Sequence, residues 1–155
     1  PILANELGER FRAPTAFEKL IEDNRKGKKN QKGFYTYQGK KAGKLVDESV
    51  YPLLGISPSA KLDDAEMAQR TVLLMLNEAA YCLAEGVIRS ARDGDIGAIF
   101  GIGFPPFRGG QFRYMDALGI ETVVQRLQQY QKTFGERYTP APILVKMAAN
   151  NERFY

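Results

Sequence analysis

Histidine is absent from the 155-residue sequence, and cysteine occurs once, as Cys82. Without an imidazole, this chain alone supplies neither a triad base nor a histidine ligand for zinc, and one cysteine cannot form an internal disulfide. The strongest apolar run, residues 72–76, is far shorter than the roughly 18 residues that a membrane span needs. We therefore expect a cytoplasmic protein with no metal site, no internal disulfide and no membrane span.

Basic residues are concentrated in one segment. The chain has 22 Lys and Arg against 18 Asp and Glu, and residues 25–44 hold eight of the basic residues and no acidic one. The rest of the chain is therefore mildly acidic. A lysine-rich segment of this kind is typical of a solvated loop, but it also suits contact with phosphates of a nucleotide-bearing ligand or of nucleic acid.

Hydrophobic periodicity predicts five or six helices and almost no strand, hence an all-α fold. Pro14 starts the first helix, Asp63 and Glu66 form a capping box for a long central helix, Ser90 caps a short one, and Thr139 followed by Pro140 opens the last. The predicted buried stripes are Phe17, Leu20 and Ile21; Val72, Leu73, Leu76, Ala79, Ala80, Leu83 and Val87; Phe112, Met115 and Leu118; Val123, Val124, Leu127 and Tyr130; and Ile143, Leu144 and Met147.

A weak internal repeat divides the chain. Residues 9–11 align with residues 136–138 at an offset of 127, and the same offset pairs Asn24 with Asn151. Residues 33–37 are aromatic and β-branched and favour an extended stretch, whereas 38–60 is read as a linker. The repeat predicts that residues 1–37 are the tail of a first helical domain and that 61–155 form a complete second one. We expect the natural chain to extend upstream of Pro1.

The most unusual stretch is residues 100–113, FGIGFPPFRGGQFR. It is no dinucleotide fingerprint, because Pro106 replaces the third glycine and no strand precedes it. It encodes a rigid aromatic turn that either joins two helices or lines a ligand cleft with apolar faces and the charges of Arg108 and Arg113. Carboxylate pairs such as Asp93 and Asp95 are interpreted as local helix caps, so the sequence predicts no catalytic residue.

Several long motifs resemble those of one enzyme family. Residues 99–110, IFGIGFPPFRGG, and 112–119, FRYMDALG, resemble the C-terminal signature of the multifunctional α-subunit of the fatty-acid β-oxidation complex. Residues 25–30, RKGKKN, and 33–35, GFY, match in order. The stretch 89–98, RSARDGDIGA, is most similar to the bacterial branch associated with anaerobic growth.

The resemblance implies an all-α, 3-hydroxyacyl-CoA dehydrogenase C-terminal-type domain preceded by the tail of a related domain. It implies a parent enzyme that hydrates 2-enoyl-CoA and oxidises 3-hydroxyacyl-CoA with NAD. The hydratase and dehydrogenase domains, including the NAD site, would lie upstream, and a thiolase β-subunit would be the partner. The fragment itself would be inactive and would help to form the substrate cleft.

The predicted substrate-binding residues are Phe100, Gly103, Phe104, Pro105, Phe107 and Arg108. Phe100 corresponds to a substrate-contact position that is often Tyr in the family, so it keeps a stacking face but lacks the hydroxyl. The alternative hypothesis from a different class is a small helical nucleic-acid-binding module that uses residues 25–44. That module would lose affinity steeply as salt rises.

Overall fold

The computed structural model describes residues 2–39, 43, 45–58 and 63–155. Within these residues it contains α-helices, short 3-10 helices and isolated β-bridges but no β-strand, which confirms the all-α prediction. The chain folds as two compact units, Pro1–Lys61 and Leu62–Tyr155. No helix of the described part is both long and apolar enough to cross a membrane.

The first unit contains the short helices α1 (Ile2–Leu7), α2 (Thr15–Glu22) and α3 (Val50–Leu54). On α2 only Leu20 is buried, while Phe17 and Ile21 are exposed, so the predicted buried stripe is wrong at two of its three positions. The reason is that α2 packs on the five-residue α3, which is too short to cover a full helix face.

The segment between α2 and α3 is organised around one arginine. The guanidinium of Arg25 donates to the Asp23 and Asp47 carboxylates at 2.8 and 3.0 Å and to the carbonyl of Gly33. Tyr35 forms a bridge with Val46, as the prediction of an extended stretch requires. Helix α3 lies inside residues 38–60, the predicted linker; the division into domains at 37 and 61 stays a prediction.

The second unit is built around α4 (Asp64–Ala84), the predicted central helix. It packs against α5 (Ala91–Ile102), α6 (Gln111–Leu118), α7 (Ile120–Phe134) and α8 (Pro142–Ala149). Asp63 does precede its first residue, but the Asp63 side chain accepts no capping hydrogen bond. The helix also ends before Val87, which is exposed. The core consists chiefly of Leu73, Leu76, Phe112, Met115, Val123, Leu127 and Leu144.

Of the two other helix starts that the sequence predicts in this unit, one is right and one is wrong. The Ser90 hydroxyl caps α5 by accepting the N–H of Asp93 at 3.1 Å. Helix α8 begins at Pro142 rather than at Pro140. The buried Asn77 amide of α4 donates to the Thr139 carbonyl and accepts the Ala141 N–H, both at 2.8 Å, and so holds this stretch out of the helix.

The predicted repeat recurs in the backbone of the two units. The 3-10 helices Glu9–Phe11 and Glu136–Tyr138 lie 127 residues apart, and so do the bounds of α2 and α8. Asn24 and Asn151 end the two motifs with the same left-handed φ of 54°. Positive φ is uncommon outside glycine, so its recurrence at paired positions is a specific likeness. The two segments therefore share the same sequence of backbone elements.

Candidate functional site

The connection between α5 and α6 carries the predicted substrate-binding residues. Gly103 ends α5 in the left-handed conformation with φ of 71°, and a 3-10 helix at Pro106–Arg108 follows. Gly110 then has φ of 107°, which side-chain-bearing residues rarely adopt. The connection is thus an ordered turn made of two glycine corners around a single 3-10 turn.

The aromatic side chains of this turn have different environments. Phe100 is 85% exposed and Phe107 is 81% exposed, whereas Phe104 is only 6% exposed. The Phe104 ring packs on Tyr114, with ring centroids 6.2 Å apart. The backbones of Gly103 and Pro105 lie at the exposed surface beside them. Phe104 is therefore part of the protein interior, and the two other rings face solvent.

Arg108 links the exposed and the buried rings. Its guanidinium carbon lies 5.0 Å from the Tyr114 ring centroid and 5.6 Å from that of Phe107. The structure thus brings Phe104, Phe107 and Arg108 together through Tyr114, while Phe100 stands apart on α5. Tyr114 was not among the predicted site residues; its signal was an aromatic residue four positions after Gly110, one helical turn into α6.

The buried side chain of Asp95, on α5, holds the end of the turn by hydrogen bonds. Its buried carboxylate accepts the N–H groups of Phe112 and Arg113 at 2.7 and 3.3 Å and the Tyr155 hydroxyl at 2.9 Å. A Cβ on Gly110 would lie 2.3 Å from this carboxylate, so the approach requires glycine. The interpretation of Asp95 as a local cap is wrong, because it caps α6 from α5. This capping fixes the start of α6 against the turn.

Residues 154 and 155 are hydrogen-bonded to α6. The Asp116 carboxylate accepts the backbone N–H groups of Phe154 and Tyr155, each at 3.0 Å. The Arg113 guanidinium, predicted to offer charge to a ligand, stacks 3.9 Å from the Tyr155 ring centroid. Burial, followed by the hydrogen bond to Asp95, raises the pKa of Tyr155 above its usual value. The phenol is therefore held in its protonated, donating form.

The described residues place aromatic rings and a guanidinium at this turn. They contain no group of three or more His, Cys, Asp or Glu side chains placed to hold a metal ion. The glycine-rich turn does not fit a dinucleotide such as NAD, because it follows a helix and not a strand. Asp95 already has three hydrogen-bond donors. This site presents the exposed ring of Phe107 beside the Arg108 guanidinium, with the exposed ring of Phe100 separately on α5.

The basic segment is partly neutralised within the first unit. The Arg25 side chain is only 3% exposed and bonds to Asp23 and Asp47. A hydrogen bond from Lys32, with a second from Arg25, lowers the pKa of Asp23; the Ser49 hydroxyl, again with Arg25, lowers that of Asp47. Two of the eight cations are therefore turned to internal carboxylates. The positions of Lys40, Lys41 and Lys44 lie outside the described residues.

Comparisons with known proteins place the chain among relatives of one kind. Residues 67–153 match the family model of the 3-hydroxyacyl-CoA dehydrogenase C-terminal domain. The whole chain is 59% identical to a protein of Shewanella loihica, 61% to one of Idiomarina loihiensis and 58% to one of Vibrio cholerae, each named fatty acid oxidation complex subunit alpha. The chain spans 22% of the length of each of these relatives. None of these comparisons supports a nucleic-acid-binding module.

Proposed function

Because the chain belongs to the family of the 3-hydroxyacyl-CoA dehydrogenase C-terminal domain, we propose that it forms a non-catalytic helical part of an enzyme that oxidises 3-hydroxyacyl-CoA with NAD. The observation that carries this proposal is the match over residues 67–153 together with about 60% identity along the whole chain to fatty acid oxidation complex α-subunits. The absence of histidine favours a supporting role over a reacting one. In the proposed parent, hydration of 2-enoyl-CoA precedes the oxidation.

The proposed substrate surface consists of Phe100, near the end of α5, and the α5–α6 turn that follows it. Phe100 and Phe107 present open ring faces to an acyl-CoA, and Arg108 supplies a cation beside Phe107. Phe104, buried against Tyr114, supports this surface from within, and Gly103 and Pro105 shape its backbone. Since Phe100 lacks a hydroxyl, its contribution is stacking and burial of apolar area.

The first unit supports the proposed domain division. Phe17 of α2 is exposed, whereas Leu144, its counterpart 127 residues later on α8, is fully buried in the core of the second unit. Among the residues that the structure describes, the equivalent face of α2 therefore lacks the helices that cover α8. We propose that residues 1–37 complete a first domain whose other helices come from upstream sequence, and that 61–155 are the second domain.

The remaining parts of the proposal concern other polypeptides. NAD and the reacting groups would belong to upstream hydratase and dehydrogenase domains, acyl-CoA would be the substrate, and a thiolase β-subunit would be the partner. The relatives are named as the α-subunit of a complex, which supports this assembly. The cytoplasmic location expected from the sequence stays a prediction.

A segment exchange tests this function. The 155 residues of the Shewanella loihica relative that align with this chain would be replaced by this chain, and NADH formation from a 3-hydroxyacyl-CoA would be followed. We expect the chimera to retain at least about half of the rate of that relative, a deletion of the same segment to have none, and this chain alone to have none. A chimera as inactive as the deletion would refute the proposal, as would turnover by the chain alone.

A further inference from the structure

A second feature lies next to the α5–α6 turn. A cavity of about 420 Å³ opens between α4 and α5 in the second unit. Its walls are largely apolar and come from Met75, Ala79, Cys82, Ile88, Ala98 and Ile102. None of the predicted substrate-binding residues lines it. Its volume and its apolar walls are typical of small-molecule sites, which usually add a few placed polar groups.

Gln111, the first residue of α6, supplies such a polar group. It is 8% exposed and lines the cavity, and its carboxamide has no hydrogen-bond partner among the described residues. Buried amides in folded proteins are normally paired. No side-chain polar atom of the described part is both fully sealed and unpaired, so the Gln111 amide keeps access to solvent space. The cavity that it lines provides this access.

The charges around the cavity restrict the ligand further. The carboxylates of Glu78 and Asp93 also line it, and no basic side chain does. Asp93 forms an ion pair with Arg89 at 3.4 Å, but the Arg89 side chain is almost fully exposed and does not line the cavity. An anionic head group would therefore be buried without a basic partner, which costs free energy that a neutral group does not lose. A primary amide both donates and accepts, so it suits a hydroxyl or an amide equally.

We propose that this cavity binds a small neutral amphiphile, with an alkyl chain against Met75 and Ile88 and a hydroxyl or carboxamide group hydrogen-bonded to Gln111. The site rests on residues 75–111 alone and does not depend on the proposed function. A free fatty acid, although it has the same alkyl chain, is a poor ligand because no basic side chain of the described residues lines the cavity to pair with its carboxylate.

Titration of the 155-residue chain with matched six-carbon probes tests the site. The probes are 1-hexanol, hexanamide and hexanoate, and the readout is the NMR signal of the Gln111 side-chain NH₂ group. We expect saturable shifts with hexanol and hexanamide and binding at least about tenfold weaker with hexanoate. Equal binding of hexanoate overturns the proposed selectivity, and the absence of a shift with all three probes overturns the site.

Two glycines of α5 provide a matched pair of variants. A Cβ atom added to Gly97 or to Gly101 would have no neighbour within 4 Å, yet only Gly97 lines the cavity. We expect Gly97→Leu to abolish the shifts by filling the cavity and Gly101→Leu to leave them unchanged. Both replace a helical glycine, so the helix is retained in each. Loss of binding in both variants, or in neither, would contradict the assignment of the cavity.

A third variant examines the hydrogen bond itself. Gln111→Met keeps the length of the side chain and removes its hydrogen-bonding groups, with the methyl signal of Ile88 as readout. We expect hexanol to bind about three- to tenfold more weakly, the range for one net hydrogen bond. Unchanged affinity would show that Gln111 does not contact the ligand, and the proposal would fail.

Discussion

The Tyr155 hydroxyl donates a hydrogen bond of 2.9 Å to the carboxylate of Asp95, 60 residues earlier in the chain. The same carboxylate accepts the N–H groups that begin α6. One buried side chain on α5 thus fixes the start of the next helix and the position of residue 155. The exposed ring of Phe100 lies on the same helix as Asp95, and that of Phe107 lies in the turn that this contact holds. This relationship leads to the first three predictions.

Replacement of Asp95 by alanine should destabilise the second unit by about 2–3 kcal/mol. The substitution leaves the buried N–H of Phe112 and the phenol of Tyr155 without their acceptor. Urea unfolding of the chain, followed by circular dichroism, measures the change. Asp93→Ala is the matched control, because Asp93 is an exposed carboxylate on the same helix, and its loss should cost about 0.5 kcal/mol or less. Equal losses in the two variants would show that Asp95 has no special role.

Stability should fall in alkaline solution as Tyr155 ionises. Its folded-state pKa is raised above the unfolded value of about 10, first by burial and then by the bond to Asp95. The contribution is therefore complete below about pH 10 and is lost as the pH rises through the folded pKa. Urea unfolding at several values between pH 8 and 11 should show a smaller decline in Tyr155→Phe than in the unchanged chain. Identical slopes would contradict this linkage.

Gly110→Ala should be among the most damaging single substitutions, at about 3 kcal/mol or more. Its φ of 107° is unfavourable for alanine, and the new methyl group would meet the Asp95 carboxylate at 2.3 Å. Gly101→Ala is the control, because it lies in α5 with open space around its Cβ position, and it should stabilise the chain by about 0.5–1 kcal/mol. Thermal unfolding compares the two variants. Similar melting temperatures would contradict the close approach at Gly110.

Arg25→Lys should loosen the loop between α2 and α3. Lysine keeps the charge but lacks the planar fork that reaches Asp23, Asp47 and the Gly33 carbonyl together. Hydrogen exchange of the Thr36 amide, which donates to the Leu45 carbonyl, should become about tenfold faster or more.

An exposed lysine provides the control for this loop. Lys28→Met removes a positive charge from the same segment without touching the Arg25 contacts, so the exchange of the Thr36 amide should not change. If Arg25→Lys also left the exchange unchanged, Arg25 would not be the organiser of the loop.

The helices of the second unit were predictable because their signals are local. Stripes such as Phe112, Met115 and Leu118 follow helical spacing, and the Ser90 cap depends on a residue only three positions away. The start of α8 was not predictable, because it is fixed by Asn77, more than sixty residues earlier. The exposure of Phe17 and Ile21 likewise depends on what packs on α2, which periodicity alone does not specify.

The candidate site shows the same division between local and tertiary information. The glycines and prolines of residues 100–110 correctly predicted an ordered aromatic turn. They could not distinguish the buried Phe104 from the exposed Phe100 and Phe107, since all three look alike in sequence. The role of Asp95 was missed because its partners Phe112 and Tyr155 are 17 and 60 residues away. The residue types therefore predicted an aromatic surface, but only the tertiary packing shows which rings are exposed and which is buried.

The account's central claim is that Phe100, near the end of α5, and the α5–α6 turn together shape a substrate surface without taking part in the reaction. The most direct test is the steady-state oxidation of a 3-hydroxyacyl-CoA by the chimera carrying Phe100→Ala. The account predicts that KM rises about tenfold while kcat stays within about twofold, the signature of lost ground-state binding. A fall of kcat by about a hundredfold at unchanged KM, or no change in either constant, would contradict it.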